Sequence, residues 1–160
     1  MAIAQGANGI SGIIGLSPLE RADAGLIAAI AEAGALGVLD LGHDRVAAAR
    51  ALDALRVRGV RAFGVRIPEG CNVVEAELPV AASVVLVADV ADVARFAARR
   101  VLAQVTSLAE ARAAVAAGAY GVIAKGSEAG GRVGEETTFV LVQHLVAELV
   151  GEVGTEATGN

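Results

Sequence analysis

Residues 101–124, VLAQVTSLAEARAAVAAGAYGVIA, have the pattern of a strand, a helix and a second strand in succession. The two outer runs, Val101–Val105 and Gly121–Ala124, are short and aliphatic. Runs of this kind are typical of strands that are buried on both faces, as in a parallel sheet.

The segment between these strands carries the signals of a helix. Ser107 precedes Leu108–Ala117 as an N-cap, with Glu110 three residues on as in a capping box. Gly118 follows as the residue that ends the helix. A strand, a helix and a strand in this order predict two parallel strands joined by a right-handed crossover.

The same alternation runs along the whole chain and predicts six strand–helix units. The other predicted strands are Ile10–Leu16, Leu36–Leu41, Ala62–Ile67 and Val84–Ala88. The other predicted helices are Leu19–Gly34, with Ser17 and Pro18 as its N-cap and first turn, His43–Arg58, the short Val90–Arg99, and Thr138–Val150. Residues 68–82 are expected to be a loop with weak turns. Six parallel strands can form an open doubly wound sheet or part of a barrel, and the regular spacing favours a barrel.

The composition excludes several classes of function. The chain is 55% hydrophobic and 2% aromatic with a mean hydropathy of +0.61, which suits a buried parallel sheet or an apolar surface that a partner covers. The net charge is −5 and there is no basic stripe, so we expect no nucleic-acid partner.

The chain also has no feature of a secreted or membrane-spanning protein. There is no basic segment before the first apolar run and no uncharged apolar stretch of about 20 residues, so we expect no membrane association and a cytoplasmic location. The single cysteine, Cys71, excludes an internal disulfide and is expected to be a small buried hydrophobic residue.

The segment with the most chemical content is residues 120–138, YGVIAKGSEAGGRVGEETT. It predicts a strand, a glycine-rich turn and the start of a helix, where backbone N–H groups can bind an anion. Arg132 can donate two hydrogen bonds to a phosphate, whereas Glu135 and Glu136 would oppose one. A plain turn that needs glycines for tight packing is the alternative.

AKGSEAGGRVGEETTFVLVQHL, residues 124–145, resembles the AxGxEAGGHxG segment of the nitronate monooxygenases, formerly called 2-nitropropane dioxygenases. The flavin-dependent enoyl reductases of bacterial fatty-acid synthesis have a similar loop. GIIGLSP, LIAAIAEAGALGVLDLG, FGVRI and residues 101–126 resemble other parts of the family in the same order, up to about Val150. The segment EAGGRVGEETTF also resembles the sequence of barrel regions fused into polyketide-synthase-like proteins.

This resemblance implies an α/β fold of six units of a TIM barrel that lacks the last two strands. A complete barrel needs roughly 200 residues or more, which is longer than this chain of 160. We therefore expect a partial TIM-barrel domain over residues 1–151 and a flexible tail over residues 152–160.

The resemblance also implies FMN as cofactor, bound at the carboxyl ends of the strands. Gly130 and Gly131 would contact the phosphate, Ser127 and Glu128 would shape the turn, and Gln104 and Lys125 would lie near the isoalloxazine or the substrate. These six positions are the expected cofactor site.

Two residues depart from the family pattern. Arg132 stands where the active enzymes have a histidine, and because arginine stays protonated it cannot act as a base. Arg66 stands where the family often has asparagine. We expect both to bind an anionic part of the substrate or to be salt-bridge partners, and we assign no catalytic base.

Other polar residues have weaker support. His43 follows the second strand and is expected to be a surface or capping residue, and His144 is expected to be structural. Asp40 and Asp89 lie at strand ends and are expected to be turn or cap residues. The sequence has neither metal-ligand spacing nor a serine nucleophile elbow, so we expect no metal.

Three hypotheses remain open from the sequence. The first is an FMN-dependent oxidoreductase module acting on a small molecule or an acyl substrate, within a polyketide or fatty-acid synthase system. The second is a non-catalytic structural or interaction module derived from that family, completed as a homo-oligomer or by a larger synthase partner. The third is an open flavodoxin-like α/β domain that binds a phosphorylated ligand, which would show a strand order with a switch point.

Overall fold

A computed structural model of the protein describes residues 12–149. In these residues six parallel strands form one sheet in the order β1-β2-β3-β4-β5-β6. The strands are Ile14–Leu16 (β1), Leu36–Asp40 (β2), Phe63–Ile67 (β3), Ala82–Val87 (β4), Arg100–Val105 (β5) and Gly121–Ala124 (β6).

Helices connect the strands. The α-helices are Ala24–Glu32 (α1), Arg45–Val57 (α2), Leu108–Ala116 (α3) and Thr138–Leu149 (α4). Two short 3-10 helices, Glu75–Glu77 and Val90–Phe96, lie in the connections on either side of β4. The sequence predicted all six strands and their order of alternation with helices. The strand boundaries differ from the predicted ones by at most four residues, and those of β6 are the same.

The start of the first helix was predicted wrongly. Helix α1 begins at Ala24, and its N-cap is Asp23, whose carboxylate accepts a hydrogen bond from the backbone N–H of Leu26. Ser17 is buried instead, and its hydroxyl accepts a hydrogen bond from the backbone N–H of Asp40 at 2.8 Å. Ser17 therefore ties the end of β1 to the end of β2 rather than starting a helix.

The two faces of the sheet pack against different layers because side chains alternate along a strand. One face carries residues such as Leu39, Val65 and Val85, which pack with the helices in the larger apolar cluster. The opposite, inner face has a smaller cluster of Val38, Val84, Leu86 and Leu102. Both faces of the sheet are thus apolar over most of their area, as the aliphatic strands predicted.

The sequential strand order identifies the architecture. Every strand pairs with its neighbours in sequence, so the sheet has no switch point at which the order reverses. The sheet is a curled half-barrel with helices on its outer side, which is the TIM-barrel-like fold expected from the resemblance. The flavodoxin-like hypothesis is therefore wrong.

Some sequence-based expectations lie outside the described residues: the first residues of the predicted strand Ile10–Leu16, the last residue of the helix Thr138–Val150, and the tail at 152–160. Across residues 12–149, no helix combines the length and the hydropathy that crossing a membrane requires.

Candidate functional site

A row of polar side chains lies on the inner face of the sheet, one step beyond its apolar residues. Asp40, Gln104 and Lys125 each follow an inner-face residue, Val38, Leu102 or Ile123, by two positions, and Arg66 follows Gly64 in the same way. The period of two along a strand therefore brings four polar side chains to one edge of the half-barrel, at the carboxyl ends of β2, β3, β5 and β6.

Arg66 and Asp40 form a buried ion pair at the centre of this row. The Arg66 Nη1 atom lies 2.6 Å from Asp40 Oδ2, and the two side chains are 9% and 0% exposed. The other carboxylate oxygen of Asp40 accepts the backbone N–H of Gly42 at 2.8 Å, and Arg66 Nε donates to Gln104 Oε1 at 3.2 Å. The two charges neutralise each other, and their hydrogen bonds fix the positions of Asp40, Arg66 and Gln104.

A cavity of about 180 Å³ lies over this row. Buried Arg66, Gln104 and Lys125 line it, together with the exposed loop residues Gly131 and Arg132. Its rim also includes Leu19, Glu20, His43, Pro68, Glu69 and Ala88. The resemblance placed Arg66, Gln104, Lys125, Gly131 and Arg132 near a ligand, and the structure brings all five to one cavity.

The glycine-rich loop between β6 and α4 closes one side of the cavity. Lys125 Nζ donates a hydrogen bond to the Gly130 carbonyl at 2.6 Å, and Gly131 has a φ of +74°, which favours glycine. A Cβ at Gly130 would meet no atom within 4 Å, so this residue faces open space. The loop thus presents backbone with room for a ligand group at Gly130.

The start of α4 is already capped by an acidic side chain. The backbone N–H of Thr138 lies 3.0 and 3.1 Å from the two Glu128 carboxylate oxygens. Hydrogen bonds from backbone N–H groups hold the pKa of Glu128 below its usual value. Since a carboxylate occupies this helix end, an anion bound by the loop would lie at Gly130 and Gly131 rather than at the α4 N-terminus.

Arg132 is held by Glu110, which lies in the first turn of α3. Arg132 Nη1 lies 2.7 Å from Glu110 Oε1 and Nη2 lies 3.2 Å from Oε2, while Nη2 also approaches the Ala88 carbonyl at 3.3 Å. The hydrogen bond from Arg132 to Glu110 raises the pKa of the guanidinium further. Arg132 is therefore a salt-bridge partner that fastens the loop to the ends of β4 and α3, and it is not a base.

The predicted capping box of α3 is present only in part. The Ser107 hydroxyl accepts the backbone N–H of Glu110, as expected. The Glu110 carboxylate, however, accepts from the backbone N–H and the hydroxyl of Thr106, at 2.8 and 3.1 Å, and also from Arg132. Glu110 thus links α3 to the glycine-rich loop.

Substitution of Glu110 by glutamine should make the loop less stable in a pH-dependent way. Burial alone would raise the pKa of Glu110, but the hydrogen bonds from Arg132 and Thr106, with the charge of Arg132, hold it below 4.5. Stabilisation from such a carboxylate is present above the unfolded-state pKa and is lost as the pH falls through the folded-state pKa. We expect Glu110→Gln to lower the free energy of unfolding by about 1 kcal/mol at pH 7 and by much less near pH 3.

Urea denaturation at both pH values measures this difference. Glu148→Gln is the matched control, because Glu148 forms an exposed ion pair with Arg112 that should contribute little. An equal effect of Glu110→Gln at the two pH values would contradict the assignment.

The other candidate residues have structural surroundings. Asp89 accepts the backbone N–H of Ala91 and caps the 3-10 helix after β4. His144 lies on α4, with Nδ1 3.2 Å from Glu136 Oε2, and His43 is an exposed residue at the rim of the cavity. Cys71 is buried and has a free thiol. Within residues 12–149 no group of His, Cys, Asp or Glu side chains could hold a metal ion.

Sequence reasoning missed two parts of the site. Asp40 was expected to be a turn or cap residue, and it is in addition the buried partner of Arg66. Glu110 was expected only as a capping residue. The strand-end position of Asp40 was the available signal, since carboxyl ends of neighbouring parallel strands lie at the same edge.

A second cavity of about 300 Å³ lies on the helix side of β6. Its lining is almost entirely apolar, with Val122 and Ala124 from β6 and Val142, Leu145, Val146 and Leu149 from α4. It holds no charged side chain, so we place the candidate chemistry at the strand ends.

No protein-family model and no curated protein matches the chain. Among solved structures, FabK from Thermotoga maritima is similar, with 30% sequence identity and a TM-score of 0.67 over 82% of this chain and 46% of that chain. The M276A mutant of the same FabK matches with 30% identity and a TM-score of 0.65, over 81% and 48% of the two chains. The chain spans about half the length of these relatives. Fold and sequence together therefore make it similar to about half of a FabK chain, with the polar strand ends of the half-barrel as its candidate site.

Proposed function

We propose that the protein is an FMN-binding oxidoreductase module of the nitronate monooxygenase and flavin-dependent enoyl reductase type. The observation that carries this proposal is the convergence of Gln104, Lys125 and Gly131 on one cavity, with the neighbouring Gly130 carbonyl bound to Lys125. The fold around this cavity is similar to that of FabK. A small molecule or an acyl group is the proposed substrate class, within a polyketide or fatty-acid synthase system.

The residues present fit the anionic and polar parts of a flavin. Gly130 faces open space and Gly131 has the left-handed backbone of a tight loop, so the phosphate can approach the backbone there. Buried Gln104 and Lys125 supply hydrogen-bond donors to a polar ring edge. The cavity of about 180 Å³ matches a part of the cofactor rather than all of it.

Bound flavin would supply hydride transfer, and the chain would supply binding and orientation. Lys125 places a donor beside the Gly130 carbonyl, between the loop and the sheet. Arg66 and Asp40 hold Gln104 in place through the buried hydrogen bonds described above. Arg132 and Glu110 hold the loop over the strand ends.

Titration of the purified protein with FMN, followed by quenching of flavin fluorescence, tests this proposal. We expect saturable binding of FMN and weaker binding of riboflavin, which lacks the phosphate. Gly130→Asp should weaken FMN binding about tenfold or more, a loss of about 1.4 kcal/mol, because it adds a carboxylate where the phosphate would lie. Riboflavin binding should change much less.

Val80→Asp is the control for this variant. It adds the same charge at a side chain that is 94% exposed, before the start of β4 and so at the opposite edge of the sheet. Equal weakening by the two variants, or equal affinity for FMN and riboflavin, would show that the phosphate is not bound at Gly130.

The alternative function is a non-catalytic structural or interaction module. The ion pair of Arg132 with Glu110 favours it, because the position that is histidine in the active enzymes here fastens a loop. Size-exclusion chromatography and the FMN titration distinguish the two functions. A folded protein that binds no FMN, whether it is a monomer or an oligomer, would support the alternative. A homo-oligomer or a larger synthase partner is the proposed form of such a module.

A further inference from the structure

Lys125 is the only lysine of the chain, since the other twelve of its thirteen basic residues are arginine. It is also among the most buried charged residues, with 8% of its surface exposed, and it lines the strand-end cavity. An arginine cannot give up its proton in a protein, whereas a lysine amine can when it is buried. The one amine side chain of the protein thus lies where a ligand would bind.

The surroundings of Lys125 favour the neutral amine. Burial, and then the positive charges of Arg66 and Arg132, lower the pKa of Lys125. Each of these arginines has its own carboxylate, Asp40 or Glu110. Within residues 12–149, the hydrogen bond of Lys125 goes to the Gly130 carbonyl, and no carboxylate forms a salt bridge with it. A neutral amine can donate that bond and keep its lone pair for a ligand.

The charged groups around the amine come from every side of the cavity. Arg66 and Asp40 lie on the strand side, and Arg132 with Glu110 lies on the loop side. Exposed Glu20, His43 and Glu69 lie at the rim, where solvent screens them. A desolvated lysine beside other cations is the arrangement in which a lysine acts as a nucleophile.

We propose that Lys125 is a reactive amine that forms an imine with a small carbonyl compound carrying a carboxylate. The Lys125 nitrogen attacks the carbonyl carbon, the amine loses two protons, and the carbonyl oxygen leaves as water with them. Arg66 binds the carboxylate, because its Nε and Nη1 are already engaged while its Nη2 makes no hydrogen bond within residues 12–149. This activity requires no flavin.

Reductive trapping tests the proposal directly. The full chain is incubated without flavin with glyoxylate and sodium cyanoborohydride, which reduces an imine to a stable secondary amine, and the adduct is located by peptide mass spectrometry. Lys125 carries the one lysine amine of these 160 residues, and peptide mapping separates its adduct from one on an N-terminal α-amino group. We expect saturable carboxymethylation of Lys125. Acetaldehyde, which has the same two carbons and no charge, should label it more slowly.

An internal reference gives the size of the effect. Arg58→Lys places one ordinary lysine at an exposed position of the same protein. Because the pKa of Lys125 is lowered by burial and by the charges of Arg66 and Arg132, more of this amine is free near neutral pH than in an exposed lysine. We therefore expect Lys125 to react with glyoxylate at least about tenfold faster than the lysine introduced at position 58. Its labelling should also reach half of the maximal rate at a lower pH.

Two variants separate the roles. Lys125→Arg keeps a donor for the Gly130 carbonyl and should abolish labelling of this peptide. Arg66→Gln should remove the preference of Lys125 for glyoxylate over acetaldehyde. Unfolding of the unaltered chain in guanidinium should also remove this preference. The folded state is verified by circular dichroism. If Lys125 is then labelled no faster than the reference lysine, the proposal is overturned, and the role of Lys125 is to hold the loop through its hydrogen bond to the Gly130 carbonyl.

Discussion

Asp40→Leu is expected to lower the free energy of unfolding by about 3 to 5 kcal/mol. The Asp40 side chain is fully buried, and its carboxylate pairs with Arg66 and accepts the backbone N–H of Gly42. Its removal leaves a buried guanidinium without a counter-charge and a backbone donor without an acceptor. Urea denaturation, with the transition followed by circular dichroism, measures the loss.

A double variant separates the ion pair from the packing. Asp40→Leu with Arg66→Met replaces the pair by apolar side chains, and we expect it to recover most of the stability lost in the single variant. Asp53→Leu is the matched control, because Asp53 pairs with Arg56 on the exposed side of α2 and should change stability by less than about 1 kcal/mol. A single Asp40→Leu variant as stable as Asp53→Leu would show that the pair is not buried as described.

Gly126→Ala is the second variant with a large expected effect. A Cβ at Gly126 would overlap the backbone of Thr137 and Thr138, where α4 begins, and the neighbouring N–H of Gly126 donates to the Thr138 hydroxyl. Because backbone rather than a flexible side chain occupies the space, α4 has to move away from the sheet. We expect a loss of about 3 kcal/mol in the free energy of unfolding and weaker FMN binding.

Gly130→Ala is the control for this effect. The two glycines lie four residues apart in one loop, but a Cβ at Gly130 meets nothing within 4 Å, so the change in stability should stay within about 0.5 kcal/mol. Comparable losses from the two alanines would mean that the loop responds to the loss of glycine flexibility rather than to the contact between Gly126 and α4.

The strands could be predicted because their signal is local. Gly121–Ala124 and Arg100–Val105 are short aliphatic runs between turn residues, and such runs suit a sheet packed on both faces. The placement of Gln104 and Lys125 at the strand-end cavity also followed from local position. Gln104 is the penultimate residue of β5 and Lys125 directly follows β6, both on the inner face. A parallel sheet brings the carboxyl ends of its strands to one edge, irrespective of the conformation of the loops.

The partners of the charged residues could not be predicted, because they depend on contacts between distant segments. Arg66 and Asp40 are 26 positions apart, and Arg132 and Glu110 are 22 apart. The sequence left open whether these arginines bind a ligand or a carboxylate, and the structure gives each a carboxylate. The start of α1 was predicted wrongly because Ser17 and Asp23 both suit an N-cap, and the contact of Ser17 with β2 decides between them.

The central claim is that the strand-end cavity binds FMN through its phosphate at Gly130 and Gly131. Two-dimensional amide NMR spectra of the ¹⁵N-labelled chain, recorded with FMN and with riboflavin, test it most directly. We predict that FMN shifts the amide signals of Gly130 and Gly131 and those at the carboxyl ends of β5 and β6, and that riboflavin leaves the two glycine signals nearly unchanged. Shifts confined to the apolar cavity between β6 and α4, or the same glycine shifts with both ligands, would contradict the claim.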